Sequence, residues 1–134
     1  MPRLLVLLLL ASAGCHRYPD DTPVDAYRSL LSAVQRDDDA RMLALLSEKS
    51  RAALTHRAEA LSKLSGGTLQ PKPADLLLAE PRPPTAAQVS VRSEDTRTAV
   101  LAITSHGSTQ EVHLVREGGH WRVSIPALEK PADG

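Results

Sequence analysis

The sequence predicts an α+β fold, with N-terminal helices packed on one face of a four-stranded antiparallel meander. Two observations predict it. Apolar residues recur at helical spacing as far as Leu64, and from Ala87 to Ile125 they alternate at the spacing of strands. A third observation sets the sidedness of the sheet: two glycine turns place the large aliphatic residues on a common face.

Thr22-Pro23-Val24-Asp25 opens the first helix. Thr22 supplies a capping oxygen, Pro23 suits the first helical position, and Asp25 stands at the capping-box site and the positive dipole end. Val24, Tyr27, Leu30, Leu31 and Val34 form its inward face. Arg36-Asp37-Asp38-Asp39 stops that helix and caps a short second one, whose buried stripe is Met42, Leu43, Leu45 and Leu46. Ser47 starts a third, with Leu54, Ala58, Leu61 and Leu64 on one face. Ser65-Gly66-Gly67 ends it, because glycine accepts the left-handed conformation of a helix C-terminus.

Between 68 and 86, Pro71, Pro73, Pro81, Pro83 and Pro84 exclude any long element. Pro73 to Leu78 is predicted as one or two helical turns laid on the core, with Leu76, Leu77 and Leu78 filling the space beneath the helices. The strands follow. A turn at Gly118-Gly119 pairs Glu117 with His120, sets Leu114 opposite Val123 and Val112 opposite Ile125. A turn at Gly107-Ser108 pairs His106 with Thr109 and sets Leu101 beside Leu114 and Ile103 beside Val112. A loop at Ser93-Glu94-Asp95 brings Val89 beside Ala99. The inner face then reads Val89, Ala99, Leu101, Ile103, Val112, Leu114, Trp121, Val123 and Ile125, with Arg116 at its end. Glu111, His113, Arg122 and Ser124 face water, with Val100 and Val115 as apolar exceptions.

The N-terminus carries a different signal. Leu4 to Leu10 is an apolar run behind Arg3, too short for a membrane span of about 20 residues and shaped like a secretory signal. Two processing routes compete. Ala11-Ser12-Ala13 fits ordinary signal peptidase and leaves Gly14 as the new terminus. Ser12-Ala13-Gly14-Cys15 resembles the lipobox of bacterial lipoproteins, with Ser12 where that family prefers Leu, Val or Ile. Lipidation is the preferred reading, because the apolar core delivers Cys15 to the membrane surface. In addition, the chain's only cysteine has no internal disulfide partner. The resemblance implies cleavage between Gly14 and Cys15, a thioether-linked diacylglycerol on Cys15 and an acylated (palmitate-type) amine. With His16 and not Asp after the cysteine, it implies sorting to the outer membrane, facing the periplasm. The tether His16 to Thr22 reaches at most about 25 Å.

The expected organisation is therefore a signal peptide over 1–14, lipidated cysteine and tether over 15–22, a domain over 23–126 and a C-terminal tail over 127–134. The mature chain has 134 − 14 = 120 residues, enough for one core. The full chain has 16 basic and 16 acidic residues, and losing Arg3 makes the mature balance 15 − 16 = −1; with no cationic surplus, nucleic acid is excluded as a partner.

"TPVDAYRSLLSAVQRDDDARMLALLSEKSRAAL" and "EVHLVREGGHWRVSIP" resemble the opening helices and closing hairpin of small nuclear-transport-factor-2-like (cystatin-like) domains of bacterial lipoproteins. The resemblance covers residues 22–126. It implies a curved sheet wrapped around helices, often enclosing a cavity, in a superfamily that holds isomerases, dehydratases and many non-catalytic domains. Fold alone does not choose among these.

Catalysis in that superfamily uses a cavity Asp or His, and the predicted inner face carries neither. With no Phe in the chain, Tyr27, Leu101, Leu114, Trp121 and Val123 are the candidate cavity or core residues. Glu111 and His113 share a strand face but lack a third metal ligand. Trp121 is read as a core anchor stacked by Arg116. No cofactor, metal or catalytic group is expected. The expectation is a non-catalytic binding or interaction domain, held to the membrane by its lipid, with a periplasmic protein or small apolar ligand as partner. A cavity enzyme of isomerase or dehydratase type is the alternative.

Overall fold

Thr22 Oγ1 accepts the Asp25 N–H at 3.1 Å and starts α1 (Pro23–Gln35) at the predicted residue. The computed structural model describes residues 21–79 and 88–130, apart from the side chains of 78 and 79. The signal peptide, Gly14, Cys15 and most of the tether lie outside the described residues, as does the tail from 131. Asp37, at a φ of 54°, turns the chain after α1. Asp38 Oδ1 then accepts the Arg41 N–H at 3.1 Å and caps α2 (Asp39–Ala44). Ser47 caps α3 (Glu48–Leu64) by accepting the Ser50 N–H at 3.2 Å. The end of α3 is a Schellman motif. Gly67 N–H bonds Ser62 O at 2.8 Å and Gly66 N–H bonds Lys63 O at 3.1 Å, with both glycines at positive φ. α4 (Pro73–Ala79) follows, with Ala74 fully buried and Leu76 and Leu77 half-buried against the core. The expected place of Leu78 falls outside the described side chains.

The sheet runs in the order β1 (Gln88–Glu94), β2 (Thr98–Ser105), β3 (Ser108–Glu117), β4 (His120–Ser124), antiparallel throughout. The fold is therefore the predicted α+β arrangement, helices first and then a meander. Ala99, Leu101, Ile103, Leu114, Trp121 and Val123 are buried, and Val89, Val112 and Ile125 pack partly against them. Glu111 and His113 are exposed on the other face.

The β3–β4 register is the predicted one, with Glu117 opposite His120 and Leu114 opposite Val123. The β2–β3 register is not. Ser105 pairs with Ser108, so the turn is His106-Gly107 and not Gly107-Ser108. Leu101 consequently faces Val112, and Ile103 faces Gln110. Both turn residues have positive φ (50° and 77°), as a primed hairpin turn of the mirror-image type I requires. Histidine is among the residues that tolerate this conformation. A shift of two residues keeps every side chain on its face, which is why the inner face survives while its pairings change.

The first hairpin is corrected too. Val89 pairs with Ile103 and not Ala99, and the loop is Asp95-Thr96-Arg97, with the register broken between Val91 and Ser93. Asp95 organises that loop: its Oδ1 accepts the N–H groups of Arg97 and Thr98, both at 2.8 Å. These hydrogen bonds hold its carboxyl below the ordinary carboxylate range.

Two further expectations change. Among the described helices only α1 packs broadly on the sheet, against β4, β1 and β2, whereas α3 packs against α4 and α5. The cause is the chain's path. Ser47 N–H donates to Val123 O and Val123 N–H to Leu45 O, both at 2.8 Å, so residues 45–47 lie parallel along the outer edge of β4. α3 therefore starts beside the sheet, and Leu61 and Leu64 overhang the core instead of entering it. Nor does the fold stop at Pro126. Ile125 leaves β4 to become the N-cap of α5 (Pro126–Glu129), which buries Leu128. A four-residue helix is too short to show a period, so the sequence reads it as tail.

Candidate functional site

The five candidate residues Tyr27, Leu101, Leu114, Trp121 and Val123 come together in one cluster of buried residues. α1 carries Tyr27 inward, and the three strands supply the rest. Among the described residues, the polar members of the interior are Tyr27 and the serines Ser29, Ser47, Ser50 and Ser105. Tyr27 is 1 % exposed. Its hydroxyl is buried without a hydrogen-bond partner among the described residues, although a buried phenol ordinarily finds one. Burial also raises its pKa above the ordinary value of 10.0. The interior thus presents a neutral phenol and no base.

This has a measurable consequence. Above about pH 10 the unfolded tyrosine loses its proton while the buried one keeps it. The unfolded chain then binds fewer protons, and stability falls as pH rises. Tyr27→Phe should remove this part of the alkaline loss and, below pH 10, cost less than about 0.5 kcal/mol or stabilise, because it deletes an unpaired polar group. Urea unfolding at neutral and alkaline pH checks it. A loss above about 1 kcal/mol at neutral pH would mean that the hydroxyl is paired.

Trp121 is almost fully buried opposite Arg116, whose guanidinium carbon lies 5.9 Å from the ring centroid. That is the geometry of a core anchor with a cation on its face. Glu111 binds Arg92 and lies 3.9 Å from His113, all on the water-facing side. Among the described residues no group of three His, Cys, Asp or Glu could hold a metal ion.

One polar cluster had no signal in the sequence. Glu129 Oε1 accepts the hydroxyls of Ser50 at 2.9 Å and Ser124 at 3.0 Å, with Ser47 Oγ 3.2 Å away. Ser50 Oγ in turn accepts the Ile125 N–H at 2.9 Å. Nearby, Glu117 accepts the Glu48 N–H at 3.0 Å. Two carboxylates thus meet the first turn of α3, where free N–H groups and the dipole favour negative charge. Ser47 and Ser50 are buried, so neither hydroxyl reaches a substrate. The cluster is a fastener joining α3, β4 and α5. Residues 47, 50, 124 and 129 are brought together only by the tertiary fold.

No described helix is long and apolar enough to cross a membrane. No family model matches the chain, and neither a curated protein nor a solved structure matches it.

Proposed function

We propose that the chain is a lipid-anchored protein of the cell envelope, sorted to the outer membrane, whose nuclear-transport-factor-2-like domain is a non-catalytic binding or interaction module. The observation that carries the module reading is the segregation of its chemistry. The buried face of the sheet carries aliphatic side chains and Trp121, packed with the Tyr27 phenol of α1, while Arg92, Glu111 and His113 stand on the opposite face in water. General acid–base work needs an ionisable group within hydrogen-bond reach of a sequestered substrate. The anchor reading is supported by the apolar run Leu4 to Leu10, which only Ala11 to Gly14 separate from the only cysteine.

Mass spectrometry of the chain isolated from a bacterial envelope tests the anchor. The N-terminus should be Cys15 carrying diacylglycerol and a third acyl chain, and Cys15→Ser should abolish both the lipid and the cleavage. An unmodified N-terminus at Gly14 in the wild type overturns it. Turnover of an apolar carbonyl substrate that Tyr27→Phe abolishes would overturn the non-catalytic reading.

A further inference from the structure

The C-terminal half of α3 leaves large apolar side chains in water. Leu64 is 85 % exposed, Leu69 59 % and Leu61 39 %. They form one tip and not scattered positions. Ser65 Oγ accepts the Leu69 N–H at 2.9 Å, and Thr68 Oγ1 donates to Ser65 O at 2.7 Å. The turn after α3 therefore folds Leu69 back beside the helix end. Single exposed apolar residues are unremarkable on a soluble domain, but three leucines gathered at one tip mark a contact surface.

The same helix carries a basic row. Lys49, His56 and Lys63 are exposed and recur every seven residues, two helical turns apart. They line up along about 21 Å of α3 and end beside Leu64. Between this row and Leu64 the helix shows only Ala53 and Ala60. Glu59, one turn before Lys63, flanks the row on its other side, and Glu48 precedes Lys49. The side of the row that faces Leu64 thus carries no acidic residue and leads into the apolar tip.

We propose that this strip and tip form a bilayer-contact surface: Lys49 and Lys63 meet anionic phospholipid headgroups while Leu64 and Leu69 enter the interface. The assignment rests on the anchored reading, since a tether of at most about 25 Å keeps the domain within reach of the bilayer. Basic residues beside exposed leucines on one helix side are what an interfacial helix presents to anionic lipid. Three leucines at a tip are a small area for a stable protein–protein interface, which buries on the order of 800 Å² on each partner. A tip needs no such area to enter a headgroup layer, where attraction per cation adds to the apolar contact.

The test uses the chain without residues 1–14 and with Cys15→Ser, so that neither the apolar leader nor a lipid anchor contributes, and with Leu64→Cys labelled with an environment-sensitive fluorophore. Phosphatidylcholine vesicles containing phosphatidylglycerol should shift the probe emission to the blue, and pure phosphatidylcholine should not. Lys49→Gln with Lys63→Gln should weaken binding by about twentyfold, roughly fivefold for each cation, while circular dichroism stays unchanged. A probe that remains water-like on the anionic vesicles overturns the proposal. So does an equal shift on neutral vesicles, or a shift seen only when envelope proteins are added. Failure of the anchored reading shows separately, as a wild-type N-terminus at Gly14.

Discussion

Leu114→Asp should abolish folding, whereas His113→Asp, one residue earlier on β3, should leave the domain folded with a loss of no more than about 1 kcal/mol. Leu114 is 1 % exposed and lies between Ala99 on β2 and Val123 on β4. A carboxylate there has neither water nor a cation. Its charged form is excluded, and its neutral form still buries an unpaired polar group in place of a well-packed isobutyl. The combined loss, more than about 5 kcal/mol, is comparable with the whole stability of a domain this size. His113 sits on the wet face opposite Val100 and Ser124. A new carboxylate there meets Glu111, a repulsion that water largely screens. Circular dichroism and urea titration of both variants decide the matter, and equal damage would mean that both faces of the sheet are covered.

Glu129→Ala should cost about 2–3 kcal/mol and loosen α5. One carboxylate oxygen serves the hydroxyls of Ser50 and Ser124 and stands beside that of Ser47. Without it, the buried Ser50 and the half-buried Ser124 lose a charged acceptor, and hydrogen bonds to charged groups are the stronger kind. α5 keeps Leu128 in the core and a bond from Arg57 Nη2 to Ala127 O at 3.3 Å, so the domain should remain folded. Hydrogen exchange should therefore rise first at 124–129 and in the first turn of α3, and later in β2 and β3. Ser124→Ala removes one donor and should cost about 1 kcal/mol. A Glu129→Ala chain within about 0.5 kcal/mol of wild type would show that the cluster does not fasten α5.

Local signals were legible where one residue suffices to make them. Thr22 and Ser47 each cap a helix at the residue their hydroxyl indicates, whereas the stretch Arg36 to Asp39 promised a cap for α2 without singling out Asp38. The Gly118-Gly119 turn falls where two glycines demand it, and the β3–β4 register follows. The neighbouring hairpin was misplaced by two residues, because a lone glycine marks a turn without saying which of its positions it fills. His106 takes the left-handed conformation beside Gly107, and nothing in its side chain announces that in advance.

What the sequence determined by itself is therefore the order of the elements, the caps and the inner face of the sheet, with Tyr27, Leu101, Leu114, Trp121 and Val123 in one interior. These follow from periodicity and turn chemistry, which act over a few residues, and from a strand parity that a two-residue slip does not change. Tertiary structure alone decided which helix lies on that face, how α5 closes the domain and which polar groups meet. Residues 45–47 had to find the free edge of β4 before α3 had a direction. Glu129 had to return across about 80 positions to reach Ser47 and Ser50. Such contacts arise from closing long loops over a shared core, and the loop-closure cost depends only weakly on length. No local pattern therefore encodes them.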